Sequence, residues 1–330
     1  MSGKALRDLN LLPGAETRID SCSKGSITKS ITENSCENLD KRQMKFPVYL
    51  SSTPSNEVDS RNAGVEIGTS EVEYIESENL DDLADADASL STILANLDSK
   101  NWVLLCAALN NVRRLSIFHK EMLLEFLGNV IPLIVKSLKN PRSAVCKTAI
   151  MTSADIFKVY SDHIIDSSEP LLVQLLLKSS QDKRFVCEAA ERALIAMTTW
   201  VSPTLLLPKL IPHLKHKNPR IRAKASMCVS RSVPQLGVEG IIAYGIDKLI
   251  QIAASQLSDQ LPESREAARS LALELQSVYE KSKPPPTEDS EQTETGSWEC
   301  FCQEKLSPLN AQAVIRVTAG CAKEGVVLSC

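Results

Sequence analysis

The chain repeats one pattern three times, as IPLIVKSLK (residues 131–139), EPLLVQLLLK (169–178) and LPKLIPHLK (207–215). Each stretch has a proline at its second position, and successive prolines lie 38 residues apart. A short polar loop and a second segment with apolar periodicity follow each stretch. A fixed period of this kind is typical of stacked helix pairs, because each pair buries its apolar face against its neighbours. The sequence therefore predicts an all-α fold, an α-solenoid.

Apolar periodicity on either side of these stretches extends the array to five HEAT-like helix pairs. In one first helix, Leu123, Leu127, Val130, Ile134 and Leu138 recur at the three-and-four-residue spacing of a single helix face. The ten predicted helices are residues 88–97 and 102–115, 120–138 and 143–160, 164–177 and 185–197, 204–214 and 220–233, and 240–256 and 263–279.

The apolar residues are concentrated in the middle of the chain, which predicts three regions. Residues 86–282 are expected to form the helical domain. Residues 1–85 are expected to be a disordered acidic N-terminal tail, and residues 283–330 a disordered C-terminal tail. Both tails are polar and rich in turn residues, so they bury too little apolar surface to offset the entropy of the chain.

Charge is divided unevenly among these regions. Residues 1–86 hold 16 acidic and 9 basic residues, whereas residues 87–282 hold 24 basic and 18 acidic ones, a net charge of +6. A basic ordered domain with acidic flanks indicates an acidic macromolecular partner. Nucleic acid is disfavoured, because this charge is modest for the length and interleaved aromatic residues are missing.

The sequence shows no membrane or secretory segment. No apolar run approaches the roughly 20 residues that span a bilayer, and the N-terminus, MSGKALRDLNLLPG, has no apolar signal stretch. The chain is expected to be cytoplasmic, without a membrane partner. Four cysteines lie within predicted helices, where a thiol usually packs as a small apolar group. They are Cys106, Cys146, Cys187 and Cys228.

Catalysis and metal binding have no support in the sequence. The four histidines are scattered, and no glycine-rich phosphate loop or nucleophile motif is present. Cys300 and Cys302 form a lone C-x-C with Cys321 and Cys330 nearby, whereas a zinc site usually shows two pairs at defined spacing. We expect no enzyme activity, no cofactor and no bound metal.

The turns within the pairs all lie on one edge of a solenoid, because each pair presents its turn in the same direction. These turns read SKNW, KNPRS, SQDKRF, HKNPR and DQLPESR, starting at residues 99, 139, 180, 216 and 259. One edge thus carries a tryptophan, expected to face solvent, followed by a row of basic residues.

The ordered set of turns resembles a TOG domain, of the type found in CLASP and in the TOG-array proteins of axonemes. The resemblance rests on Trp102, on PRS in the second turn, on DKRFVCEAAERAL (182–194) and on KNPRIRAKAS (217–226). It covers residues 86–281 and leaves both tails unexplained.

The resemblance implies that the turn residues bind αβ-tubulin, whose exposed surface is acidic, through one continuous edge. By position, the tubulin-binding residues would be Trp102, Arg142, Lys183, Arg184 and Arg220. Trp102 would be the apolar anchor, and the basic residues would make charge-assisted contacts. The chain departs from the family at the first turn, because Leu105 stands where the family often has an arginine.

Each of these residues also has a structural explanation. Trp102 could cap the core of the first pair, and the basic residues could be solvated surface charges. Arg222 and Arg265 lie in contexts that resemble the structural arginine of HEAT repeats. For these two, a bond to a neighbouring loop is favoured over a binding role.

The sequence thus favours a non-enzymatic protein that binds tubulin or microtubules of the cytoskeleton and influences their organisation or dynamics. The alternative is a HEAT-repeat adaptor that holds an acidic peptide or protein in its groove. Basic residues on the inner helical face, and not on the turns, would favour the adaptor. One short motif, DLNLLP (Asp8–Pro13), resembles the repression motif through which plant regulators recruit a corepressor.

Overall fold

Helix pairs that bury apolar faces between them build the fold, as the 38-residue period predicts. The computed structural model describes residues 74–283 and 297–319, which belong to one unit of the chain, 67–330. The helices are α1 Ala86–Leu97, α2 Trp102–Phe118, α3 Lys120–Leu124, α4 Leu127–Leu138, α5 Ser143–Tyr160, α6 Glu169–Lys178, α7 Arg184–Trp200, α8 Pro203–Leu210, α9 Pro219–Ser232, α10 Gly237–Tyr244, α11 Ile246–Leu257, α12 Pro262–Lys281, α13 Trp298–Lys305 and α14 Pro308–Ala319.

The second helices of the five pairs are α2, α5, α7, α9 and α12, and each contacts the next one along the array. The first helices α1, α4, α6, α8 and α11 pack against them. The core lies between these two layers, where Leu109, Ile134, Ile150, Leu175 and Leu275 are fully buried. Burial of each such side chain contributes about 1.5–3 kcal/mol relative to its exposure.

Several first helices are interrupted where the sequence predicts a single helix. The predicted helix 120–138 is divided at Glu125–Phe126, and the predicted helix 240–256 is divided at Gly245, whose φ is +106°. The predicted helix 204–214 becomes a 3₁₀ helix from Ile211, because Pro212 has no N–H to continue the α-helical pattern. Apolar periodicity continues across each break, so periodicity alone does not reveal it.

The ordered region begins before residue 86, and the prediction of a disordered tail is wrong for residues 74–85. This segment lies along α2 and α5 as a strap. Arg113 donates to the carbonyl oxygen of Ile75 (2.8 Å), and His119 contacts the carboxylate of Asp82 (2.7 Å). Such contacts stabilise a polar segment that has little apolar surface of its own.

The prediction of a disordered C-terminal tail is wrong for residues 298–319, which form α13 and α14. These two helices pack against α11 and α12. Trp298 is buried, and its Nε1 donates to Thr318 Oγ1 (3.1 Å). Its ring also lies 5.4 Å from that of Tyr279 and 5.6 Å from that of Phe301, between centroids. Both helices are too short to be stable alone, so docking on the last pair accounts for their order.

The cysteines of the described helices pack mainly as apolar groups. Cys106, Cys146 and Cys228 are buried in α2, α5 and α9. In the C-x-C sequence of α13, burial raises the pKa of the Cys302 thiol to about 12. Cys321 and Cys330 lie outside the described residues, as does the Asp8–Pro13 motif. Within the two described ranges, no group of three or more potential ligands is placed to hold a metal, and no helix is long and apolar enough to cross a membrane.

Candidate functional site

The turns within the five pairs form one edge of the molecule, which we call the turn edge. It consists of residues 98–101, 139–142, 179–183, 216–218 and 258–261, together with the first turn of each following helix. In four turns an Asn or Asp side chain accepts a hydrogen bond from the backbone N–H two residues later. These pairs are Asn101 with Val103, Asn140 with Arg142, Asn218 with Arg220, and Asp259 with Leu261. This local turn chemistry fixes how the chain enters each second helix.

Side chains also connect each turn to the next. Lys183 Nζ donates to Ser143 Oγ (3.1 Å), which joins the third turn to the start of α5. Arg220 pairs with Asp182 of the third turn (2.6 Å between Nη1 and Oδ1). The predicted residues therefore lie on one continuous edge.

Trp102 is half-buried and packs against the core, so the expectation that it faces solvent is only partly correct. The guanidinium carbon of Arg142 lies 5.4 Å from the centroid of the indole ring, within the range of a cation–π contact. Both residues line a surface pocket of about 360 Å³ between the first and second turns. Leu105, which replaces the expected arginine, is buried in the core and belongs to the scaffold.

The other predicted contact residues are exposed. Arg184 pairs with Glu188 one helical turn away (2.7 Å), and its side chain is 91% exposed. The hydrogen bond that Arg184 donates to Glu188 raises the pKa of Arg184, and the hydrogen bond that Arg220 donates to Asp182 raises the pKa of Arg220. Both guanidinium groups are therefore charged at any physiological pH. Exposed ion pairs of this kind contribute little to stability, so the arginines are free to exchange their partners for a ligand carboxylate.

Arg222 and Arg265 hold the backbone of the turns. Arg222 pairs with Asp259 (2.6 Å), which joins the fourth turn to the fifth, and donates to the carbonyl oxygen of His216 (2.9 Å). Arg265 donates to the carbonyl oxygens of Asp259 and Gln260 (2.8 and 2.9 Å). Arg222 thus contacts a neighbouring turn, whereas Arg265 bonds the carbonyl oxygens of its own turn and differs from the expected bond to a neighbouring loop.

The basic row consequently ends at the fourth turn. Arg265 is committed to its own turn, and Glu263 is exposed beside it at the start of α12. Along the turn edge as the structure describes it, the first four turns carry the exposed basic side chains and the fifth does not.

Three exposed apolar residues on the turn edge, Val103, Leu104 and Phe185, were not among the predicted contacts. Val103 and Phe185 occupy the second position of α2 and α7, and Phe185 is 43% exposed. They follow Trp102 and Arg184 directly, and an apolar residue in the first turn of a second helix is the sequence signal for them. The edge therefore combines apolar and basic groups at its first and third turns.

A surface pocket of about 690 Å³ lies between α9 and α12 and reaches the turn edge, since Pro262, Glu263 and Arg265 in the first turn of α12 line it. Ala223 and Met227 are among its lining residues. Its charges are mixed and largely paired, since Lys224 contacts Glu191 (2.6 Å). The pocket thus lacks the uniformly basic lining that the adaptor alternative requires.

Known proteins resemble this chain in sequence and in fold. The sequence model of the family described as CLASP N terminal matches residues 85–284. TOG array regulator of axonemal microtubules protein 1 of Mus musculus is 26% identical over 203 residues, which is 60% of this chain and 11% of that protein. The Homo sapiens protein of the same name is 26% identical over 161 residues, 49% of this chain and 9% of its own length. The chain thus spans about a tenth of these curated relatives.

Solved structures share the fold. A TOG domain from C. elegans Zyg9 is 14% identical, covers 75% of this chain and 91% of its own, and gives a TM-score of 0.50. A chain from a structural study of microtubule plus-end tracking by XMAP215, CLIP-170 and EB1 is 15% identical, with coverages of 76% and 97% and a TM-score of 0.54. The predicted resemblance to a TOG domain is confirmed. Because the family model covers more than half of its length, the chain belongs to the CLASP N-terminal family.

Proposed function

We propose that the chain binds αβ-tubulin, free or in the microtubule lattice, through the turn edge. Its role is non-enzymatic, and it acts at cytoplasmic microtubules of the cytoskeleton by influencing their organisation or dynamics. The observation that carries the proposal is the continuous edge on which Arg142, Lys183, Arg184 and Arg220 lie exposed beside the half-buried Trp102. The relatives add support, because the mouse protein is named as a regulator of axonemal microtubules.

The arrangement suits an acidic protein partner. Hydrogen bonds to charged groups contribute about 1.5–3 kcal/mol each, and exposed apolar groups beside them supply the desolvated contacts that dominate interface energies. Val103 and Phe185 add such groups at the first and third turns. The fifth turn, which carries Glu263, is assigned a minor part in the interface.

Cosedimentation with microtubules and gel filtration with free tubulin test the proposal. We expect the double substitution Arg142→Glu, Lys183→Glu to weaken binding at least about tenfold, because each change replaces an attractive contact with a repulsive one. The matched control is Lys158→Glu, Lys248→Glu, which makes the same charge change at exposed positions of α5 and α11 outside the turn edge. Equal affinity of the two variants, or no binding by the original chain at low salt, would refute the proposal.

The second candidate remains an adaptor that holds an acidic peptide in the pocket between α9 and α12. The volume of that pocket and the presence of Lys224, Arg231 and Arg269 favour it, whereas Glu191 and Glu266 oppose it. Loss of a partner on substitution of Lys224 and Arg231, with tubulin binding absent, would support the adaptor.

A further inference from the structure

The edge opposite the turn edge, where second helices end and the following pairs begin, exposes large apolar side chains in the middle of the array. Trp200 is the last residue of α7 and is 47% exposed. Leu205 is exposed on α8, and Val238 and Ile242 are exposed on α10. We call these four residues the apolar patch.

The residues of the apolar patch belong to adjacent connections. The side-chain amide of Gln235 donates to the carbonyl oxygen of Thr198 (2.6 Å), which ties the connection after α9 to the end of α7. Val238 and Ile242 are four residues apart on α10 and therefore share one face. The connection from Trp200 to Leu205 is only four residues long. The two connections that carry the four side chains are thus neighbours on this edge.

The patch lies in an almost uncharged part of the sequence. Residues 193–208 contain no charged residue, and residues 232–246 contain only Glu239, whereas 24% of the chain is charged. Contiguous exposed apolar patches on soluble proteins often mark an interaction site. The lack of charge indicates that the partner surface is also apolar and uncharged.

We propose that the apolar patch is the interface of a symmetric dimer of this chain. In a two-fold dimer the same patch meets itself. A charged surface therefore opposes its own copy, and the helical domain carries a net charge of +6 over residues 87–282. An apolar patch whose two segments hold only one charged residue, Glu239, is self-complementary in this sense, and two copies meet there with little repulsion.

A stable dimer needs more contact surface than the four side chains of the apolar patch provide. Stable interfaces bury about 800 Å² per partner, with an apolar centre and a polar rim. The four side chains supply the centre, and neighbouring exposed residues supply a rim that is polar and mostly uncharged: Thr199, Thr204, Gln235 and Glu239. We expect the dimer to be reversible.

Dimerisation at this edge leaves both turn edges free, because the two edges lie at opposite ends of the helices. The two turn edges then face away from each other, and linking two sites raises the apparent affinity for a polymer. This consequence rests on the proposed function, whereas the dimer itself does not.

Sedimentation velocity of the full chain from about 1 to 100 µM tests the dimer. We expect the sedimentation coefficient to rise with concentration and the double variant Trp200→Glu, Ile242→Glu to stay monomeric, with a dissociation constant raised at least 100-fold. Leu104→Glu, Leu177→Glu is the matched control, since it changes two apolar residues that are also exposed but lie on α2 and α6. Thermal melts verify folding, and Trp200→Gln, Ile242→Gln replaces the glutamate variant if that variant is less stable.

Three results would overturn the proposal: a monomer throughout the range, a dimer that persists in both patch variants, or equal disruption by the control. A chain that stays monomeric overturns the dimer proposal even if another molecule binds the patch. Salt separates this contact from tubulin binding, because screening weakens contacts between charges and leaves an uncharged contact intact. The Arg142→Glu, Lys183→Glu variant is expected to dimerise normally, so loss of tubulin binding alone does not affect the dimer.

Discussion

Arg113 of α2 is fully buried, although arginine is rarely buried without a partner. Its Nε donates to Asp155 of α5 (2.6 Å), and its other nitrogens bond Ile75 and Ser77 of the strap. One side chain thus joins the first two helix pairs to the N-terminal strap. The ion pair between Arg113 and Asp155 holds α2 against α5. Removing one partner of such a buried pair strongly lowers the free energy of unfolding, because the other charge stays buried without a counter-ion.

We expect Asp155→Ala to destabilise the chain by about 3–5 kcal/mol, because it leaves the Arg113 charge buried without its counter-ion. Urea unfolding followed by circular dichroism measures the change. Ser77→Ala is the comparison, since Ser77 is half-buried and its loss is expected to cost about 1 kcal/mol. Similar values for the two variants would contradict this assignment.

His213 makes the stability depend on pH. Burial lowers its pKa, and the neighbouring His216 lowers it further. The unfolded chain, with an ordinary histidine pKa of about 6.5, therefore binds a proton that the folded chain resists. The free energy of unfolding therefore falls as the pH drops below about 6.5, because the unfolded chain then gains a proton on His213 that the folded chain does not.

We expect His213→Gln to lose less stability than the original chain between pH 7.5 and pH 5.5, and unfolding in urea at the two pH values measures this difference. His119, His163 and His216 are present in both proteins, so the comparison isolates His213. An equal loss of stability in both proteins between these pH values would show that His213 does not cause the pH dependence.

At the scale of elements, Gly245 separates α10 from α11. Its φ of +106° is one that other residues rarely adopt, and an added Cβ would lie 2.8 Å from Asp247 Oδ1. The break redirects the chain so that α11 packs as the first helix of the fifth pair.

We expect Gly245→Ala to destabilise the chain by at least about 1 kcal/mol, because the substituted residue is strained in this conformation. Gly128→Ala in α4 is the matched control. A Cβ there meets nothing within 4 Å, and alanine in a helix is expected to be neutral or stabilising. Thermal melts should show a lower midpoint for Gly245→Ala and an unchanged or higher midpoint for Gly128→Ala. Equal destabilisation of the two variants would contradict the role of Gly245.

At the scale of the whole molecule, the folded unit extends beyond the residues that match the family. The match covers 85–284, whereas the structure adds the strap at one end and α13–α14 at the other. We propose residues 74–319 as the folding unit. The last pair would otherwise expose the surface on which the Trp298 ring is buried against Tyr279.

We expect removal of residues 297–330 to lower the thermal midpoint by several degrees and to speed hydrogen exchange in α12, because packed aromatic surface is lost. Trp298→Ala is expected to have a similar effect, since loss of a buried aromatic side chain costs about 3–5 kcal/mol where the site does not collapse. Removal of residues 1–66 is the control. Unchanged exchange in α12 would show that the two C-terminal helices do not stabilise the solenoid.

The sequence by itself determined the period, the helix pairs and the order of residues along the turn edge. These features depend on apolar periodicity and on turn chemistry such as that of Asn140 and Asn218, which act over a few residues. The row from Arg142 to Arg220 was therefore predictable, and so was the structural role of Arg222.

The tertiary structure alone decided which side chains are buried, because burial depends on neighbours distant in the sequence. It placed Arg142 over the half-buried Trp102 and brought Asp155 to Arg113. It also ordered the strap and α13–α14, whose own sequences are too short or too polar to fold without a surface to dock on. Finally, it left Trp200 and Ile242 exposed, since the periodicity that places them on helices carries no information about whether another helix covers them.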